Sequence, residues 1–123
     1  MKTLSSTQRR VRNVYEDAFE PFDLSDKVYE DIAHITIDPA RAPGTGFHAF
    51  KMAPGTNAAA HEHVSHEHFF VLEGDLQDHD GYKYRAGDLV QLTKGSQHSA
   101  YTASGCTLVC YIDEFESMLD EEE

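Results

Sequence analysis

Residues 55–74 read GTNAAAHEHVSHEHFFVLEG, and the fold and the chemistry of the chain both follow from how that stretch is laid on a backbone. His61 and His63 stand two residues apart, a spacing that on a strand puts both rings on one face and turns the intervening Glu62 to the other. On a helix the same two rings would diverge by roughly 200° around the axis. Glu67 follows, and the run His68-Phe69-Phe70-Val71-Leu72 closed by Glu73-Gly74 reads as a second strand ending in a turn. With pairing resumed at Glu67, the side chains of Glu67, Phe69 and Val71 share the inward face, and His66, His68 and Phe70 point outward. Imidazole and carboxylate are the donors that suit divalent iron, manganese, nickel, copper or zinc. The alternative is a solvated His-rich tract of no fixed geometry; a further histidine, His98, and the glycines around both segments favour a built site.

Gly55 precedes His61 by five intervening residues, and Gly74 follows Glu67 by six. A second segment runs from Gly87 through Thr93-Lys94-Gly95 to His98 and Thr102. The first segment resembles the first cupin motif throughout, and the second resembles the second motif, with Thr93 where that family usually has Pro and Thr102 where it has Asn. The resemblance covers roughly Phe47 to Ile112. Within the superfamily, Glu73-Gly74, Asp88, Gly95-Ser96 and Gly105-Cys106-Thr107-Leu108 are similar to the ChrR-like branch. It implies an all-β cupin double-stranded β-helix, or jelly-roll barrel, holding one divalent transition metal ion (iron, zinc, manganese or nickel) through His61, His63, Glu67 and His98. Turn-forming pairs such as Asp38-Pro39, Pro54-Gly55, Asp80-Gly81 and Lys94-Gly95, separating short runs rich in Val, Leu, Phe, Tyr and Thr, agree independently with a sandwich or barrel.

At 123 residues the chain suits a single core. The expected organisation is an amino-terminal arm or helix over 1–30, the barrel over 31–113 and an acidic tail over 114–123. Val11, Val14, Tyr15 and Ala18 have helix-like spacing, with Thr7 as a cap and Pro21 as a stop. The carboxyl end, with Asp113, Glu114, Glu116 and Asp120 to Glu123, reads as a solvated, frayed tail. A formal net charge of −12 argues against a nucleic-acid partner, because phosphates would be repelled. No apolar run has membrane-spanning length and the first residues lack a secretory hydrophobic segment, so a cytoplasmic protein without a membrane partner is expected. Cys106 and Cys110 read as reduced, buried thiols. A homodimer is the expected assembly.

A centre of three histidines and one glutamate leaves an ion that prefers about six ligands with two exchangeable positions. The resemblance therefore implies an oxygenase-like enzyme acting on a small organic ligand in the barrel. Diketone-cleaving and dihydroxyacetophenone-cleaving relatives use a histidine triad, to which Glu67 adds a carboxylate. The alternative is a ChrR-like metal-binding sensor without turnover; in those anti-sigma factors a helical zinc-binding domain precedes the cupin, whereas here no Cys precedes Cys106. A third reading is a metal that only cross-links strands. Alternation along Phe47 to Met52 turns Lys51 to solvent and His48, Phe50 and Met52 inward. His48 is then either a group that orients a ligand or substrate or a buried His satisfied by a carbonyl. Phe69, Val71, Leu108 and Ile112 are expected to make the wall apolar, and Tyr82, Tyr84, Tyr101 and Tyr111 to be surface or interface aromatics.

Overall fold

A computed structural model describes residues 1–24 and 27–119, without the side chains of 23–30. Ten strands follow one another: β1 (Glu20–Leu24), β2 (Lys27–Thr36), β3 (Gly46–Met52), β4 (Asn57–Glu62), β5 (Glu67–Asp78), β6 (Lys83–Arg85), β7 (Leu89–Leu92), β8 (Gln97–Tyr101), β9 (Cys106–Ile112) and β10 (Ser117–Met118). They pair antiparallel in the order β1-β2-β3-β9-β5-β8-β4-β10, with β6 and β7 also paired to β5. There is no helix among the described residues, and none is long and apolar enough to cross a membrane. This is the jelly roll that the sequence resemblance implies: one antiparallel sheet curled through β5 into two facing layers.

Strand β5 makes the curl. Its first part pairs with β9 and β7, and its last part with β6 and β8. Between them the register with β9 shifts at Val71/Glu73, a bulge that bends the strand and resets which residues face inward. Phe69 and Val71 are buried before it, Leu76 and Asp78 after it. Gly74 makes this bend possible. Its φ of +89° is in the left-handed region, and a Cβ there would lie 2.0 Å from the Gly105 carbonyl oxygen, a distance only glycine avoids.

The core lies between the layers, where Val71 is fully buried and Phe69, Leu76, Leu108 and Cys110 pack around it. Each such side chain contributes on the order of 1.5–3 kcal/mol by leaving water. In the β2-β3-β9-β5 layer the register sets His48, Cys110 and Phe69 in one inward row, and Phe50, Leu108 and Val71 in the next.

Of the two expectations for the amino end, a helix over Thr7 to Phe19 or an arm, the arm is the one present. Asn13 starts a single turn, its Oδ1 accepting the N–H of Tyr15 and its carbonyl that of Asp17, both at 2.8 Å. Asp17 then folds back to accept the Asn13 N–H and the Arg12 guanidinium, and the turn is not propagated. Val11 and Tyr15 stay 75% and 73% exposed, so no packed face offsets the cost of helix nucleation. Residues 1–19 form an arm, and the sheet begins at Glu20.

Candidate metal centre

His61 and His98 face each other directly across β4 and β8, placed there by a register shift between Ala58 and His61. Without that shift, Ala58 and His61, three residues apart, would point to opposite faces. His63 follows the end of β4 and is held by its backbone, its N–H donating to Ser96 at 2.9 Å and its carbonyl accepting the Gly95 N–H at 2.7 Å. The three histidines, with donor atoms all within 4.8 Å of one another, form a possible metal site. His61 Nδ1 donates to the Ala59 carbonyl at 2.7 Å and His98 Nδ1 to Asp78 Oδ1 at 3.0 Å, so both rings turn Nε2 to the centre. His63 Nε2 lies 3.1 Å from His98 Nε2. Converging lone pairs at that distance suit adjacent ligands of an ion bound through nitrogen at about 2.0–2.1 Å, so the donor set fits a transition metal.

Two carboxylates flank the three rings. Glu67 Oε1 is 3.5 Å from His63 Nε2, just outside the tight group of histidines. Burial, with Glu116 adding repulsion, pushes the Glu67 carboxyl up to about 8. Glu116 Oε2 sits 2.9 Å from His61 Nε2; burial disfavours a charged His61, but this carboxylate outweighs it and the imidazole is shifted upward. His63 is pushed down to about 4 by burial and by its two neighbouring imidazoles.

Behind His98 runs a short polar chain that the strand pattern does not reveal. Asp78 is buried, which works against its charge, yet bonds from His98 and Tyr84 hold its carboxyl below the ordinary range. The Tyr84 hydroxyl donates to Asp78 Oδ2 at 2.6 Å. Tyr84, expected as a surface or interface aromatic, is therefore a buried support of the centre, whereas Tyr82, Tyr101 and Tyr111 are exposed. Unbroken alternation from Glu67 would turn Asp78 outward; the bulge at Val71/Glu73 turns it in. Glu116 has no local signal at all, because its place depends on where residues 113–119 return to the sheet.

His66 and His68 are exposed, as the alternation predicts. His48 faces inward and is buried, but it stands apart from the cavity, its Nδ1 bonded to the Gly46 carbonyl at 2.8 Å. That carbonyl bond satisfies one ring nitrogen of His48, while Nε2 is buried with no hydrogen-bond partner among the described residues. The cavity, about 100 Å³, has His61, His98, Glu67 and Glu116 at its polar end and Phe50, Phe69, Leu108 and Met118 among its apolar walls. Val71 and Ile112, expected in that wall, are buried behind it. Cys106 and Cys110 are free and buried, and burial pushes the Cys106 thiol up to about 11. The frayed-tail expectation does not hold for Glu116 to Met118, which return to β4; residues 120–123 lie outside the described residues.

Among solved structures, an acetylacetone dioxygenase from Acinetobacter johnsonii is similar at a TM-score of 0.74 and 14% identity, over 98% of this chain and 85% of that one. An RmlC-like cupin protein from Ralstonia eutropha JMP134 is similar at 0.70 and 18%, over 89% and 71%. A chain from the complex of Rhodobacter sphaeroides SigE with the anti-sigma ChrR is similar at 0.58 and 17%, over 83% of this chain and 52% of that one. At these identities the likeness is one of fold. No curated protein matches in sequence. The ChrR cupin-like domain matches residues 33–116, with His61, His63, Glu67 and His98 all inside that span, and the chain belongs to the ChrR-like branch of the cupin superfamily.

Proposed function

We propose that the chain holds one divalent transition metal ion, whether iron, zinc, manganese or nickel, through His61, His63, Glu67 and His98, and acts as an oxygenase-like enzyme on a small organic substrate. The observation that carries this reading is the mostly apolar cavity of about 100 Å³ that ends on His61, His98 and Glu67. Such a space admits a molecule of a few heavy atoms and brings its polar end to the histidines. When bound, the ion supplies a Lewis acid and, if it is iron, a redox-active centre with exchangeable positions. Asp78 holds the His98 ring in place through Nδ1, and Phe69 and Leu108 keep water from the cavity wall. Burial pushes the Glu67 carboxyl up to about 8, so holding a cation there would be coupled to loss of its proton. The acetylacetone dioxygenase fold neighbour makes β-diketones the first substrates to try.

Elemental analysis of chain purified without added metal, followed by anaerobic reconstitution with ferrous iron and oxygen-uptake measurements on β-diketones and hydroxyaryl ketones, tests the proposal. Uptake with one of these substrates is expected. Iron-loaded protein that consumes no oxygen with any of them favours a second reading, a ChrR-like sensor module without turnover. The family match and the carboxylate of Glu116 standing at the cavity end of the histidines support that alternative. The proposed assembly is a homodimer, and sedimentation analysis is its test.

A further inference from the structure

Strand β10 is paired on β4, with Ser117 opposite Glu62 and Met118 opposite His61, and the Leu119 N–H extends the pairing to the Ala60 carbonyl at 3.1 Å. On the other side of Glu116, the Phe115 ring lies 5.9 Å from that of Phe22, and Ser65 Oγ joins the Glu114 backbone through two bonds of 3.1 and 3.2 Å. The segment is thus clamped before and after Glu116. Its carboxylate stands at the boundary between the histidines and the cavity.

His61 uses Nδ1 on the Ala59 carbonyl, so the nitrogen 2.9 Å from Glu116 Oε2 is the one left for the ion. Oxygen and nitrogen donors that each reach an ion at about 2.0–2.2 Å stand at this kind of separation. We propose that Glu116 is a further protein group of the metal centre: with the ion bound, its carboxylate takes the position that faces the cavity and competes there with any anionic or oxygen-donor ligand. The inference rests on the reading of His61, His63, Glu67 and His98 as the metal centre. The rival account makes Glu116 only the counter-ion of a protonated His61, a role that ends once a cation replaces that proton.

Cobalt(II) titration of the full metal-free chain tests this, using the natural sequence, E116Q and E116A, with affinity read by chelator competition and the cobalt visible spectrum recorded with and without azide. Both variants are expected to bind cobalt on the order of tenfold more weakly and with an altered spectrum. Azide should perturb E116A at concentrations at least roughly tenfold below those that perturb the natural sequence. Equal affinity, equal spectra and equal azide response in all three overturn the role of Glu116 and leave the metal centre standing. A natural chain that takes up no cobalt, like its His98→Ala variant, overturns the metal centre and this inference together. Should E116A fail to fold, the near-isosteric E116Q decides by affinity and spectrum alone.

Discussion

His61 and His63 share a stretch of eight residues with His66 and His68, yet the two pairs end in opposite surroundings. The first pair is buried with Nε2 atoms turned to a common centre. The second is exposed: His66 Nδ1 accepts the Lys94 N–H at 2.8 Å, and His68 lies 2.9 Å from the Gln91 amide. Residue type and local density are the same. What differs is the side to which each ring is turned: His61 on β4 and His63, held by its backbone bonds to Gly95 and Ser96, meet other donors, whereas His66 in the β4–β5 connection and His68 on β5 meet solvent. A His-rich composition thus makes no site by itself; the fold selects which rings belong to one.

The comparison breaks most visibly at His98, the neighbouring-strand partner of His61. His98→Ala is expected to leave a folded barrel and to lower metal affinity by more than the roughly 10–100-fold that loss of an outer partner costs; unchanged stoichiometry by elemental analysis would contradict its ligand role. A change of pH sharpens the contrast next. Glu67 is held up to about 8 and His61 is also raised, so a metal must displace protons below that range, while His63, pushed down to about 4, is already neutral. Affinity should therefore fall as pH falls from 8 to 6, by about tenfold per unit for one displaced proton. Proton release measured by calorimetry in two buffers checks the sign.

Asp78→Asn comes third, with metal affinity expected to drop about 10–100-fold, because the His98 ring loses the carboxylate that holds its Nδ1. Chelator competition at fixed pH reads this directly. The smallest effect belongs to the outward pair: His66→Ala and His68→Ala should each change affinity by less than about twofold, as surface positions away from a site do. If either empties the centre, the inward and outward assignment is wrong.

The two ends of the chain teach a related lesson about local pattern. The spacing of Val11, Val14, Tyr15 and Ala18 predicts an arm or a helix at the amino end, and the acids of the carboxyl end predict a frayed tail. The amino end finds no apolar surface for its helix face and remains an arm. Residues 116–119 find two partners, the edge of β4 and the Nε2 of His61. Neither outcome is written in residues near the segment concerned, since each depends on what lies opposite it in space.

From the sequence alone came the barrel class and the inward facing of His61, Glu67, Phe69 and Val71, because those rest on a two-residue pleat and on turn-forming glycines, both local properties of a chain; His98 joined them through the resemblance of the second segment to a cupin motif. Asp78, Tyr84 and Glu116 were decided only by tertiary structure. Asp78 follows a bulge, which reverses the facing of every later residue in its strand; Tyr84 stands on β6 opposite Leu76, beyond that bulge; and Glu116 arrives just before a short strand whose hydrogen bonds exist only once β4 offers an edge. Periodicity carries information along a strand until the register slips; beyond that point, contacts across the sheet determine which side chain meets the centre.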